Sequence, residues 1–520
     1  MVTAPHHLAA ESGLAVLKEG GNAVEAMVAM AATIAVVYPH MNSIGGDGFW
    51  LVAEPGADPV AIDACGAAAG LADMDFYRAR GHATIPHRGP LAALTVAGAI
   101  SGWMAALDLA SAWGAPLPLP RLLADAVHHA RSGMAVTGGQ AENTRTKLDG
   151  LRHVPGFAAA FLDAGGAVPA QGARFTAPRL AATLEHLGRA GLDDFYRGDL
   201  AASLARDLEA AGSPLRAGDL AAHRARPVVP LTARIGAGTL HNLTPPTQGL
   251  ASLMILALFD RLGVARGEGF DHVHGLVEAS KRAFLVRDAH VTDPAYMTRD
   301  PADFLDPAFL DAEAAKIDRA RALPWPHRAA PGDTVWLGAI DGAGRAVSFI
   351  QSLYWEFGSG LVLAESGVLW QNRGVSFALD PAAANPLMPG RRPFHTLNPA
   401  LARLDDGRVM VYGTMGGEGQ PQTQAAVFTR HVLFAMPLQA AVTAPRWLLG
   451  RTWGEESTNL KLESRFDPAL VDALRAAGHD VELVPDFSDL MGHAGAIVRH
   501  PDGLLEGASD PRSDGAAMGF

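Results

Sequence analysis

Asp333-Thr334-Val335-Trp336-Leu337-Gly338-Ala339-Ile340, then Asp341-Gly342-Ala343-Gly344-Arg345, then Ala346-Val347-Ser348-Phe349-Ile350-Gln351-Ser352, follow one another without interruption. Thr334–Ile340 and Ala346–Ser352 read as two strands, rich in β-branched and aromatic residues. Asp341-Gly342-Ala343-Gly344 between them is a strong hairpin signal. Just upstream, Leu323-Pro324-Trp325-Pro326 to Pro331-Gly332 suits neither helix nor strand and reads as a linker or exposed loop. The hairpin therefore opens a second part of the chain whose texture differs from the first.

Before the linker, residues 95–320 read mainly as helices: Leu122–His129, Ala181–Leu187, Leu200–Ala211, Ser252–Leu262 and His272–Asp288, with a strand-like patch at Val228–Leu240. Nearer the start, His7–Lys18 has helical spacing and stops at Gly20-Gly21. Asn22 can then cap a second helix running to about Val37, before Pro39. Gly45-Gly46-Asp47-Gly48 opens a hairpin with strands Phe49–Ala53 and Pro59–Asp63. After the decisive hairpin, Gly367–Trp370 and Val409–Gly413 read as short strands and Thr423–Ala435 as a helix. Helix-rich then strand-rich sequence implies an α/β or α+β design, a sheet packed between helices.

Composition narrows the functional classes. The 520 residues exceed one simple core, and 49% are hydrophobic against 18% charged. A net charge of −12 and no basic tract argue against nucleic acid or an anionic membrane as partner. The longest apolar stretch, Ala26–Tyr38, falls short of the roughly 18 residues a membrane helix needs. With Cys65 as the single cysteine there is no intrachain disulfide. The N-terminal residues lack a secretory layout, so a cytoplasmic location is the expectation. His6-His7 and His272-x-His274 have no evident carboxylate or cysteine companions, and neither a metal nor another cofactor is expected.

Asp-Thr at a loop-to-strand boundary is ordinarily just a β-branched residue in a favoured place. Freed at a chain terminus, however, Thr334 would carry a hydroxyl nucleophile and an α-amine whose pKa, about 7.7–8, suits a base. Gly413-Thr414-Met415-Gly416-Gly417-Glu418-Gly419 is either an ordinary turn or a backbone N–H cradle for an oxyanion. Phosphate binding is less apt there, because the Walker lysine and the Rossmann spacing are absent.

From about Ala4 to Arg512 the chain resembles the γ-glutamyltranspeptidase family. The resemblance is carried by Gly20-Gly21-Asn22, Ser43-Ile44-Gly45-Gly46-Asp47-Gly48-Phe49, Pro245-Pro246-Thr247-Gln248-Gly249, Phe357-Gly358-Ser359-Gly360, Gly413–Gly417 and Gly507-Ala508-Ser509-Asp510-Pro511-Arg512. It implies a four-layer αββα sandwich of the N-terminal-nucleophile type, cut by autoproteolysis between Asp333 and Thr334. Residues 1–333 would form the large chain and 334–520 the small catalytic chain. Thr334 falls on the family's nucleophile, Ser352 on a supporting hydroxyl that is threonine in the family, and Gly416 and Gly417 on the oxyanion pair.

The pocket departs from the family. The arginine that holds the glutamyl carboxylate becomes Cys65, in Asp63-Ala64-Cys65-Gly66. The asparagine, glutamine and aspartate that hold the α-amine become Tyr354, Arg373 and Ser376, and the paired serines become His395 and Thr396. Losing an anion and gaining Arg373 disfavours an ammonium guest and favours a carboxylate, which guanidinium matches bidentately. The expected guest is a small anionic amide. Arg373 could instead face solvent or pair with Glu356 or Glu365, His395 could be a satisfied core residue, and Cys65 reads as a small packing residue. Within the family the pocket resembles the branch that hydrolyses oxamate to oxalate and ammonia. The alternatives are γ-glutamyl transfer or glutathione hydrolysis, a cephalosporin or glutaryl acylase, and an uncleaved binding protein on the same scaffold. Expected partners are the two chains of one precursor, with a homo-oligomer compatible.

Overall fold

The computed structural model describes residues 1–325, 333–450 and 458–520. The linker reading from Pro326 to Gly332 lies outside them. Two large sheets face each other. The first takes strands β1 (Val2–Ala4), β2 (Asp47–Ala53), β3 (Val60–Asp63), β4 (Arg226–Val228), β7 (Asp333–Ile340), β8 (Ala346–Tyr354) and β13 (Ala516–Met518), in the order β13-β1-β7-β8-β2-β3-β4. The second takes β5 (Leu231–Ile235), β6 (Gly238–Asn242), β9 (Ala400–Leu404), β10 (Val409–Thr414), β11 (Ala494–Arg499) and β12 (Leu505–Ser509), in the order β12-β11-β10-β9-β6-β5. Both sheets combine strands from before and after residue 333, so the two halves of the sequence form one unit.

Alternation along β7 organises the layers, because successive strand residues point to opposite faces. Val335, Leu337 and Ala339 pack toward helices α1 (His7–Lys18), α2 (Ala23–Val37), α3 (Ala99–Ala110), α4 (Leu119–Ser132) and α5 (Pro178–Ala190). Trp336 and Ile340 face the second sheet, meeting Leu401, Val411 and Ile497. The far side of that sheet packs on α6 (Gly249–Leu262), α7 (Phe270–His290) and α8 (Gln420–Phe428). Helix, sheet, sheet and helix are therefore stacked in the expected αββα order.

Trp336 sets the fit between the sheets. Its indole donates to Ser348 Oγ at 2.9 Å. A Cβ at Gly413 would lie 2.2 Å from its Cδ1, and one at Gly495 2.6 Å from its Cζ3. The second sheet thus carries a notch that only glycine leaves open. On the opposite face α2 is buried along its whole length, and Asn22 caps it in a capping box with Glu25. Asp341 Oδ2 accepts from Ala23 N at 3.1 Å, while its Oδ1 accepts from Ala343 N and Arg345 N, each at 3.0 Å. One carboxylate therefore shapes the hairpin turn and pins the start of α2.

The sequence expectations differ from the structure in detail. Gly367–Trp370 forms no regular strand; it makes isolated bridges only, Val362 to Leu369 and Gly45 to Trp370, after a left-handed Gly367. The helix expected at Thr423–Ala435 starts earlier, at Gln420, and gives way after Phe428 to a π-turn over Thr429–Leu433. Among the described residues no helix is long and apolar enough to cross a membrane. Gly413→Ala should lower stability by about 1–3 kcal/mol in urea unfolding, as over-packing does when a rigid ring cannot retreat. An unchanged midpoint would show that the notch does not constrain the sheets.

Candidate active site

Three neighbouring strands bring side chains to one face. The β7–β8 register pairs Val335 with Gln351, and continued by one residue it sets Thr334 against Ser352. There a bulge shifts the pairing, so that Asp333 meets Tyr354. Ser352 in turn pairs with Asp47 on β2. Parity turns Thr334 and Ser352 the same way as Trp336 and Ile350, and Asp47 the same way as Phe49 and Leu51, into the space between the sheets. Thr334, Ser352 and Asp47 are all buried. Tyr354 N donates to Ser352 Oγ at 2.8 Å, and the bulge leaves Tyr354 with φ of 85°.

The second sheet supplies the opposite wall. After β10 the chain turns through Gly416 (φ 119°) and Gly417 (φ 52°), left-handed conformations that suit glycine, and enters α8. Among the described residues, the N–H groups of these two glycines donate to no carbonyl or side chain outside their own turn. Gln420, the first residue of α8, donates to Thr334 Oγ1 at 3.3 Å. Its side-chain Oε1 accepts from Asn398 Nδ2 at 3.0 Å. Gln248 donates to the carbonyls of Gly417 and Thr396, both at 2.7 Å, and Arg287 fixes its orientation by donating to Gln248 Oε1 at 2.9 Å. Arg287 also pairs with Glu418 at 2.6 Å. A continuous polar frame thus runs from Thr334 through Gln420 and Asn398 to Thr396.

Arg373 completes the cluster. Its guanidinium lies 3.8 Å over the Tyr354 ring, and Nη1 donates to Thr396 Oγ1 at 3.3 Å. Arg373 is wholly buried, yet among the described residues its Nε and Nη2 have no partner. Neither alternative reading holds: it does not face solvent, and among the described residues it makes no ion pair. Glu356 pairs with Lys147 instead, at 3.5 Å. Burial lowers the guanidinium pKa to about 10, partly offset by Tyr354, Asp47 and Cys65, so Arg373 stays charged at neutral pH.

His395 meets Asp47, with Nε2 to Oδ2 at 2.9 Å. Burial, and then Arg373, hold its pKa well below the usual imidazole range, so it is neutral. Burial lifts Asp47 to about 7 against the pull of its hydrogen bonds.

Not every expected residue joins the site. Ser376 ends the turn that begins at Arg373, and its backbone carbonyl accepts from Asn385; among the described residues its buried hydroxyl makes no hydrogen bond to the cluster. Cys65 is buried in the inter-sheet core beside Asp63. Burial and then the Asp63 charge push its thiol pKa up, the opposite of an activated nucleophile. His274 has closer companions than its sequence neighbours suggested, since Glu278 and His479 come within reach of a common ion. Those groups are already engaged. His274 bonds His479 and Asp318 O, each at 2.8 Å, and Glu278 holds Lys281 at 2.7 Å. Asp47, Gln248, Asn398 and Gln420 were not singled out from sequence, although Asp47 and Gln248 stand inside quoted motifs.

The family model described as gamma-glutamyltranspeptidase matches residues 9–520. The oxamate amidohydrolase proenzyme of Klebsiella pneumoniae is 59% identical over 521 residues, covering 100% of this chain and 98% of the relative. The glutathione hydrolase-like YwrD proenzyme of Bacillus subtilis is 39% identical over 523 residues, covering 100% and 98%. The crystal structure of cephalosporin acylase from Bacillus halodurans superposes with a TM-score of 0.90 at 32% identity, covering 100% of this chain and 96% of that one. Matched through its sheets, its glycine turn and its C-terminal strands alike, the chain belongs to the γ-glutamyltranspeptidase family.

Proposed function

We propose that the chain is an autoprocessing amidohydrolase that releases Thr334 as an N-terminal nucleophile and hydrolyses oxamate to oxalate and ammonia. The observation that carries the substrate is Arg373, a buried cation with two unpartnered donor nitrogens in the cluster that holds Thr334. An uncompensated buried charge is costly, and a substrate carboxylate would both pair it and satisfy those donors. A free ammonium would meet a like charge out of water, which disfavours a γ-glutamyl group. The 59% identity to an oxamate amidohydrolase proenzyme supports the same guest.

Processing begins when Thr334 Oγ attacks the Asp333 carbonyl, forming an ester that water resolves. The freed α-amine of Thr334 then takes the hydroxyl proton as Oγ attacks the substrate amide carbon. The N–H groups of Gly416 and Gly417 stabilise the oxyanion, and Ser352 and Gln420 orient the threonine hydroxyl. Ammonia leaves with the proton, and water releases the acid from the acyl-enzyme. Similarity to a cephalosporin acylase supports a bulkier acyl group as the second reading.

Thr334→Ala should leave a single full-length band on denaturing electrophoresis after prolonged incubation and release no ammonia from oxamate; two bands would mean that the junction lies elsewhere. Arg373→Ala should still process but raise KM for oxamate by about 10–100-fold, the range for losing hydrogen bonds to a charged partner. An unchanged KM would leave Arg373 without a substrate role. Assayed side by side, ammonia from oxamate should far exceed p-nitroaniline from γ-glutamyl-p-nitroanilide or acid from a glutaryl amide, and the reverse order would overturn the assignment.

A further inference from the structure

Among the described residues, Arg373 and His395 leave three buried atoms without partners, on complementary terms. Arg373 Nε and Nη2 are donors, whereas His395 Nδ1 is one or the other according to its tautomer. Asp47 decides which. Its Oδ1 accepts from Gly66 N at 3.1 Å and Gly98 N at 3.0 Å, and its Oδ2 lies 2.9 Å from His395 Nε2. Glycine is required at both donors, since a Cβ would fall 1.7 Å from Val96 O at Gly66 and 1.4 Å from Ala64 O at Gly98. Above its pKa of about 7 Asp47 is ionised and only accepts, so there Nε2 carries the imidazole proton and Nδ1 is left as a bare lone pair. Phe49 holds the ring edge-on at a centroid distance of 4.7 Å.

We infer that Asp47 and His395 form a specificity-determining pair that offers this lone pair to the amide N–H of the substrate while Arg373 takes its carboxylate. The inference rests on the amidohydrolase reading above and names the part of the pocket that reads the nitrogen. Arg373 and His395 are linked through Thr396, which neighbours His395 in sequence and bonds Arg373. Two donors and one acceptor in one cluster match a carboxylate joined directly to a carboxamide. They do not match oxalate, which has acceptors at both ends and would set a carboxylate against the lone pair. The pair thus favours substrate over product.

Asp47→Asn tests this directly, because the asparagine oxygen can keep the Gly66 and Gly98 bonds while its NH2 donates to His395 Nε2. That moves the imidazole proton to Nδ1 and turns the acceptor into a donor. In the processed enzyme, KM for oxamate should rise about tenfold and the inhibition constant for oxalate should fall about tenfold, the scale of one hydrogen bond gained or lost. Opposed shifts support the pair; parallel shifts, or none, overturn it.

The wild-type enzyme gives a second reading should the variant fail to process. The groups facing Asp47 are Arg373, Gln371 and His395, with Cys65 and Tyr196 nearby. As pH falls from 8 to 6, Asp47 takes up a proton near its pKa of about 7 and can donate to Nε2. KM for oxamate should then rise and the oxalate constant fall, whereas kcat separately reports the Thr334 amine. Parallel or flat profiles overturn the pair. No ammonia from oxamate at any pH would instead bring down the substrate reading on which the pair depends.

Discussion

The seating of Trp336 in a notch of the opposite sheet is the constraint on which the rest of the molecule depends. One bulky ring crosses the inter-sheet space and is accepted only because Gly413 and Gly495 carry no side chain. Strand alternation then leaves no freedom in β7: with Trp336 facing inward, Thr334 two residues earlier must face the same way. A slip of one residue would send Thr334 to the helix layer and expel Trp336 from its notch. The large aromatic residue and the proposed nucleophile are thus positioned by a single choice of register. Gly413 also lies at the end of the strand that leads into the Gly416–Gly417 turn, so the notch couples both walls of the site.

Around that axis the protein has invested in buried polarity. Asp47, Arg373, His395, Thr396, Gln248, Asn398 and Gln420 are all out of water, yet nearly every polar atom among them is matched. Those that are not cluster on Arg373 and His395, with Asn398 Oδ1 nearby. Orphaned buried groups are expensive in a folded protein and rarely persist without a ligand to complete them. The family's solution for an amino acid guest, a cation for its carboxylate and an anion for its ammonium, is rearranged: the cation stands at Arg373, and the nearby anion, Asp47, is engaged by His395. In the proposed function, this difference separates the chemistry of the nucleophile, carried by the scaffold, from the choice of acyl group, carried by a few exchanged side chains.

Much of this was legible from residues alone, and the limits have physical reasons. The decisive hairpin, the Asn22 cap and the long helices Ser252–Leu262 and His272–Asp288 announce themselves by periodicity and local hydrogen bonding, which a sequence displays directly. The C-terminal strands are short and rich in glycine and alanine, and Gly367–Trp370 has strand-like residues but a left-handed turn inside it. Thr334, Ser352, Arg373 and Thr396 could be named only through the resemblance to the family, by their positions within its motifs. The Asp47–His395 contact could not, because it joins residues 348 positions apart through glycines whose role is to let two backbones approach. Gln420 and Gln248 are ordinary amides until the fold sets one beside Thr334 and the other beneath the glycine turn.

The central claim is that Thr334 becomes the N-terminus of a separate chain while both chains stay in one sandwich. Intact mass of the purified native protein, with N-terminal sequencing of its smaller component, tests it most directly. The account predicts two co-purifying chains, the smaller beginning Thr334-Val335-Trp336, whose masses sum to the 54.3 kDa polypeptide plus one water. A single full-length mass in material active on its substrate, or a smaller chain beginning at any other residue, would contradict it.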